Sequence, residues 1–158
     1  MVGKEYKLVE ALERIKPNYD YIIIDTPPAL GILTVNALTA CDSVIVPAQA
    51  DVYSLQGIEQ LHDTVSTVKQ YCNKNLKIQG ILLTRFSYRT ILSKNILELL
   101  EQTAEKIQTK LFKTTIREAI AIKEAQANRQ DIFSYAPASN AAIDYNNFIN
   151  ELLEEQND

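Results

Sequence analysis

Short β-branched runs alternate along this chain with amphipathic segments at helical spacing, and that alternation leaves few folds open. The runs are Tyr21-Ile22-Ile23-Ile24, Ser43-Val44-Ile45-Val46-Pro47 and Ile78-Gln79-Gly80-Ile81-Leu82-Leu83-Thr84, with a weaker fourth from Leu111 to Ile116. Between them, Leu55, Ile58, Leu61, Val65 and Val68 recur at helical spacing behind Ser54 as N-cap, and Leu92, Ile96, Leu99, Leu100 and Ile107 do so behind Thr90 or Ser93. Ser139 is the expected cap of a last helix with the stripe Ala142, Tyr145, Ile149, Leu152. At the other end, Leu8, Val9, Leu12 and Ile15 predict a helix over 5–16, which Pro17-Asn18 stops before a buried strand over 20–25. Parallel neighbours need a crossover of about a dozen residues or more, and these helices supply it. The expected class is α/β with a parallel sheet. With 46% hydrophobic and 23% charged residues, no repeat and no linker, residues 1–158 read as a single domain.

The same sequence excludes several kinds of chemistry. Its four glycines (Gly3, Gly31, Gly57, Gly80) are widely separated, so neither a phosphate-binding P-loop nor a dinucleotide fingerprint is present in these residues. His62 is the single histidine, and Cys41 and Cys72 are the two cysteines, which rules out a His/Cys zinc site. His62 sits beside the apolar stripe of Ile58 and Val65 and reads as structural, while both cysteines read as small hydrophobes. No apolar stretch approaches the length of a signal h-region or a membrane span, and two unpaired thiols fit a cytoplasmic location.

In an open parallel sheet, ligands gather at the carboxyl ends of the strands. Those ends are polar here: Asp25-Thr26, Gln49 and Asp51, Thr84-Arg85, Thr115 and Arg117. Asp25 closes an apolar run just before Pro27-Pro28. It fits either a carboxylate that holds Mg²⁺ through water beside a substrate phosphate, or a plain strand end followed by a stiff turn. The net charge is −4, yet no acidic residue occurs from Thr64 to Leu97, a stretch that carries Lys69, Lys74, Lys77, Arg85, Arg89 and Lys94. Lys106 to Arg117 is also free of acids. Such runs fit a cationic face for nucleic-acid phosphates, with Tyr88 beside Arg89 able to stack on a base, or a solvated helix surface.

The string Tyr21-Ile22-Ile23-Ile24-Asp25-Thr26-Pro27-Pro28-Ala29-Leu30-Gly31, followed by Asn36-Ala37-Leu38, resembles the Walker B and switch segment of the ParA (Soj-like) partitioning ATPases, the deviant-Walker P-loop class. The resemblance continues through Ala40 to Gln49, Leu55-Gln56-Gly57, Gly80 to Thr84, Arg89-Thr90, Ile122-Lys123-Glu124-Ala125 and Tyr135-Ala136-Pro137, and ends with Ser139-Asn140 and Asp144-Tyr145. It implies an α/β fold, a parallel sheet with helices on both faces, in the form of an incomplete P-loop NTPase. It also implies an ATPase that dimerises around ATP and Mg²⁺, binds DNA non-specifically, and is stimulated to hydrolyse ATP by a ParB-like partner.

Carried over residue by residue, Asp25 corresponds to the carboxylate near Mg²⁺, joined by Thr26, Pro27 and Pro28 at the γ-phosphate. Ile116 and Arg117 fall in the segment near the adenine. Arg89 matches a basic position used against DNA, with Arg85, Lys94 and Lys123 as further DNA candidates. The family's Ile-Pro-Arg-Asn-Val-Arg is here Ile-Arg-Glu-Ala-Ile-Ala, which departs at both the adenine contact and the second arginine. No Lys-Gly-Gly-x-Gly-Lys-Thr loop occurs, so the chain is expected to correspond to a C-terminal portion, as a fragment or a truncated gene product, with no complete catalytic site. It is expected neither to bind ATP tightly nor to hydrolyse it alone.

The expected location is the nucleoid-associated cytoplasm. Expected partners are DNA, a ParB-like protein and a second copy meeting it along the Tyr21–Ile24 edge. No membrane partner is expected: the acidic tail from Glu151 to Asp158 argues against the MinD-like membrane-cycling branch. A stand-alone DNA- or partner-binding module without enzyme activity is the alternative.

Overall fold

The computed structural model describes residues 3–86 and 91–154, the side chains of 91–94 apart. A parallel sheet of three strands has the order β1-β2-β3, with β1 Ser43–Ala48, β2 Lys77–Phe86 and β3 Ile116–Arg117. The helices are α1 Lys7–Leu12, α2 Ile32–Ala40, α3 Val52–Tyr71, α4 Ile91–Lys106, α5 Ile120–Ala127, α6 Ile132–Tyr135 and α7 Asn140–Glu154. β1, β2, α3, α4 and α7 fall where the periodicity places them. The expected fourth run reduces to β3 and a single parallel bridge of Leu111 to Ile81.

Three expectations are corrected. The helix expected over 5–16 is cut to the six residues of α1, flanked by short 3₁₀ turns at Lys4–Tyr6 and Lys16–Asn18, the latter holding Pro17. The buried strand expected over 20–25 does not form: these residues join no sheet, and Tyr21 and Ile23 are 58% and 89% exposed. A β-branched run prefers a pleated, packed surface, and that preference yields a strand only where a neighbour completes the ladder. Ser54 is not the cap of α3. Asp51 is, its Oδ1 accepting the Ser54 N–H at 2.8 Å, while Ser54 Oγ accepts the Gln49 N–H at 3.1 Å. Ser139 does cap α7, its Oγ accepting the Ala142 N–H at 3.2 Å.

The chain divides into two compact units. Met1–Ile45 with Gln56–Gln79 form the first. Its core is Leu38, Val65, Val68 and Leu76, with Cys41, Cys72 and Leu61 packed against it, so both thiols act as the small hydrophobes the sequence suggests. Burial pushes the Cys41 thiol up from its ordinary range. Asn36, almost wholly buried on α2, accepts the Leu8 N–H at 3.1 Å and donates to the carbonyls of Lys4 and Ile32. The first amides of a helix lack partners within it, so Asn36 serves as a remote cap for α1. Asn73 does the converse for the end of α2, donating to the carbonyls of Leu38 and Cys41.

Val46–Leu55 with Gly80–Asp158 form the second unit. Ile81, Leu83, Leu100, Phe112 and Ile116 are its fully buried large side chains. Gly80 has no room for a side chain: a Cβ there would lie 2.5 Å from Cε2 of Phe112. Phe112 in turn meets Phe148 of α7 edge-on, with ring centroids 5.0 Å apart.

Candidate functional site

Asp25, Thr26, Pro27 and Pro28 belong to the first unit and are all exposed. They form the end of an extended segment that turns into α2 through Ala29 to Gly31. The turn is fixed by Thr34 Oγ1 donating to the Ala29 carbonyl at 2.7 Å and by the Gly31 N–H donating to the same carbonyl at 2.9 Å. Among the described residues nothing pairs with the Asp25 carboxylate, and no three His, Cys, Asp or Glu side chains gather into a metal cage. Mg²⁺ keeps most of its water and takes one or two carboxylates together with substrate phosphate. A single solvent-facing Asp25 therefore suits that ion in its water-mediated form, and does not suit a fully protein-ligated one.

The other described candidates belong to the second unit. Thr84 pairs with Ile116 and Phe86 with Arg117, so two steps along β2 match one along β3, and Arg85 is the extra residue of a bulge. Its φ of 52° lies in the left-handed region, which non-glycine residues adopt at a cost of about 1–3 kcal/mol. The bulged residue reaches Glu118: Arg85 Nη2 donates to Glu118 Oε1 at 3.2 Å, and Lys123 Nζ reaches the same oxygen at 3.5 Å. Arg85 first, then Lys123, holds the Glu118 carboxyl below the usual range. The sequence thus pointed to Arg85 and Lys123, and the structure joins them through an acid that sequence reasoning noted only as a departure from the family pattern.

Ile116 is 2% exposed and is core. Arg117, which the resemblance implies lies near the adenine, makes a bidentate pair with Asp144 of α7, Nε to Oδ2 at 2.9 Å and Nη2 to Oδ1 at 2.7 Å, and its N–H adds a third bond to Oδ2 at 3.0 Å. Burial pushes the Asp144 carboxyl up, but the Arg117 side chain, backbone N–H and charge outweigh it and hold it below the ordinary value. Glu151 of α7 accepts the N–H groups of Lys113 and Thr114 at 2.8 and 2.9 Å, so α7 is bound by two carboxylates to the segment carrying β3. Lys110 lies 4.6 Å from the centroid of the Phe112 ring. Arg89 falls outside the described residues, as do Tyr88, Thr90 and the side chains of Ser93 and Lys94. His62 is part-buried on α3 and faces Asp63 at 3.8 Å. Among the described residues no helix is long and apolar enough to cross a membrane.

A family model described as an AAA domain matches residues 1–78. The sporulation initiation inhibitor protein Soj of Bacillus subtilis is 42% identical over 144 residues, covering 91% of this chain and 56% of Soj. The chromosome partitioning protein ParA of Myxococcus xanthus is 36% identical over 143 residues, covering 90% of this chain and 50% of that protein. The chain therefore spans about half the length of the curated relatives it matches. Among solved structures, cobyrinic acid a,c-diamide synthase from Mycobacterium smegmatis with a bound ATP analogue and magnesium superposes with a TM-score of 0.80 at 32% identity, covering 99% of this chain and 56% of that one. The parallel sheet with its helices and these relationships agree, and they identify the chain as a ParA/Soj-type sequence with the P-loop NTPase fold of that family.

Proposed function

We propose that this chain contributes to a ParA-type partitioning ATPase that works with ATP and Mg²⁺, as a homodimer, on non-specific DNA at the nucleoid and with a ParB-like partner. The observation that carries the reading is the 42% identity to Soj over 91% of the chain. In it, Asp25 holds Mg²⁺ through water, with Thr26, Pro27 and Pro28 beside the γ-phosphate and Ile116 and Arg117 in the adenine segment. The ion offsets phosphate charge there. The glycine-poor sequence supplies no phosphate-cradling loop of its own, so these 158 residues neither bind ATP tightly nor hydrolyse it by themselves. The exposed Tyr21–Ile24 segment is the proposed contact of the second copy.

The DNA surface in this reading comprises Arg85, Arg89, Lys94 and Lys123. Its test is binding of the 158-residue chain to duplexes of unrelated sequence at about 50 and 200 mM salt. Expected is sequence-independent binding that weakens steeply with salt, and an Arg89→Ala variant whose salt slope is lower by about one phosphate contact. Absence of binding at the lower salt refutes a DNA surface in these residues. An unchanged slope removes Arg89 from it. The glycine spacing also favours a second reading, a DNA- or partner-binding module that carries no enzyme activity, and salt-sensitive binding without nucleotide is its signature.

A further inference from the structure

We propose that Glu118 is a built-in competitor for DNA phosphate: its carboxylate occupies, between Arg85 and Lys123, the position that a phosphodiester oxygen takes on binding. The inference rests on the DNA-binding reading and adds a residue to it that opposes binding. Both cations converge on one oxygen, Glu118 Oε1, at 3.2 and 3.5 Å. A guanidinium and an ammonium converging on one anionic oxygen also make the arrangement that receives a phosphate. Arg85 is the extra residue of the bulge, with its backbone in the left-handed region, and from there its side chain reaches Glu118.

The cluster also has the energetics of an exchange. All three side chains are more than half exposed, at 57%, 53% and 69% for Arg85, Glu118 and Lys123. Exposed pairs of this kind are weak, because water and salt screen them. The carboxylate is therefore strong enough to cancel one of the two positive charges when DNA is absent, and weak enough to be displaced when a polyanion arrives. A neutral residue at 118 leaves both cations uncompensated, which raises affinity and the number of counterions released.

The test compares the full chain with Glu118→Gln, which keeps the side-chain shape and a hydrogen-bond acceptor while removing the charge. Glu10→Gln is the control, since Glu10 also sits in an exposed ion pair, with Lys7 at 2.6 Å, and its loss changes the net charge equally. DNA affinity of Glu118→Gln should rise about three- to tenfold at low salt, with a steeper salt dependence by up to about one counterion. Glu10→Gln should leave both unchanged, and adding Arg85→Gln to Glu118→Gln should return affinity towards that of the parent. Thermal melts by circular dichroism verify that each variant folds. If the parent binds DNA in a salt-sensitive way and Glu118→Gln binds no tighter, the competitor role falls while the DNA reading stands. Equal gains in Glu118→Gln and Glu10→Gln also overturn it, because net charge then explains the effect. If neither the parent nor Glu118→Gln binds DNA, both readings fall together.

Discussion

Gly80→Ala adds one methyl group to the second unit, and the structure says where it goes. The new Cβ would sit 2.5 Å from Cε2 of Phe112 and 2.9 Å from its Cδ2 and Cζ. Ordinary contact begins at about 3.4 Å, so the ring must withdraw by roughly 0.9 Å. It has little freedom to do so. Phe112 is 2% exposed, its N–H donates to the Ile81 carbonyl at 2.9 Å, and the Ile81 N–H returns a bond to the Lys110 carbonyl at 2.8 Å. The ring is also held edge-on to Phe148 at an interplanar angle of 87°. Overpacking of a closed core costs about 1–3 kcal/mol. Against this, alanine in a strand interior recovers about 0.5–1 kcal/mol of the conformational entropy that glycine loses on folding. The expected net loss is about 1.3 kcal/mol, from the middle of each range. Urea unfolding followed by far-UV circular dichroism should show the midpoint falling by about 0.6 M, at a denaturant slope of about 2 kcal/mol/M. Shortening the ring in Gly80→Ala/Phe112→Leu should restore part of the difference between Gly80→Ala and the parent. A midpoint that stays put or rises in Gly80→Ala refutes the argument, because it would mean that the ring relaxes without cost.

Two further substitutions test the polar clamps. Asp144→Asn should destabilise the chain by about 1–3 kcal/mol at neutral pH, since the half-exposed Arg117 can reach water but the hydrogen bonds to a charged acceptor are lost. Because the folded carboxyl is held below its ordinary value, its contribution is present above the unfolded value of about 3.9 and is lost as pH falls through the folded one. The difference between parent and variant in urea midpoint should therefore shrink on acidification, and a difference independent of pH would sink the assignment. Asn36→Ala should cost about 1–3 kcal/mol by leaving the Leu8 N–H and the Lys4 carbonyl without their partner. Hydrogen exchange at Leu8 should accelerate with it, and unchanged exchange would show that α1 does not depend on this side chain.

Much of the fold was legible because α3, α4 and α7 carry apolar residues at helical spacing and β1 and β2 each contain a short apolar run. α2 escaped for a physical reason. Its buried positions include Thr34, Asn36 and Thr39; the two threonine hydroxyls donate to the carbonyls of Ala29 and Val35 and Asn36 bonds both Ile32 and the distant Lys4 and Leu8, so polar residues interrupt the hydrophobic period of the buried face. α5 escaped because eight residues with one fully buried alanine give too short a pattern. The segment Tyr21–Ile24 shows the opposite failure, a strong strand signal in residues that take no strand assignment. At the candidate site, Asp25 and Arg85 were visible as polar residues ending apolar runs. The bulge that turns Arg85 towards Glu118 was not, since it arises from a mismatch in step between β2 and β3 that neither strand records alone.

Asn36 also makes the stability of α1 depend on that of α2. Six residues are far too few to hold a helix in water by themselves, and among the described residues the side chain that bonds a first-turn amide of α1 is Asn36, 28 positions further along. α1 thus leans on α2 for its cap. The cap reaches residues 7–12 only from a wound Ile32–Ala40, so whatever unwinds α2 also removes the bond that holds the start of α1.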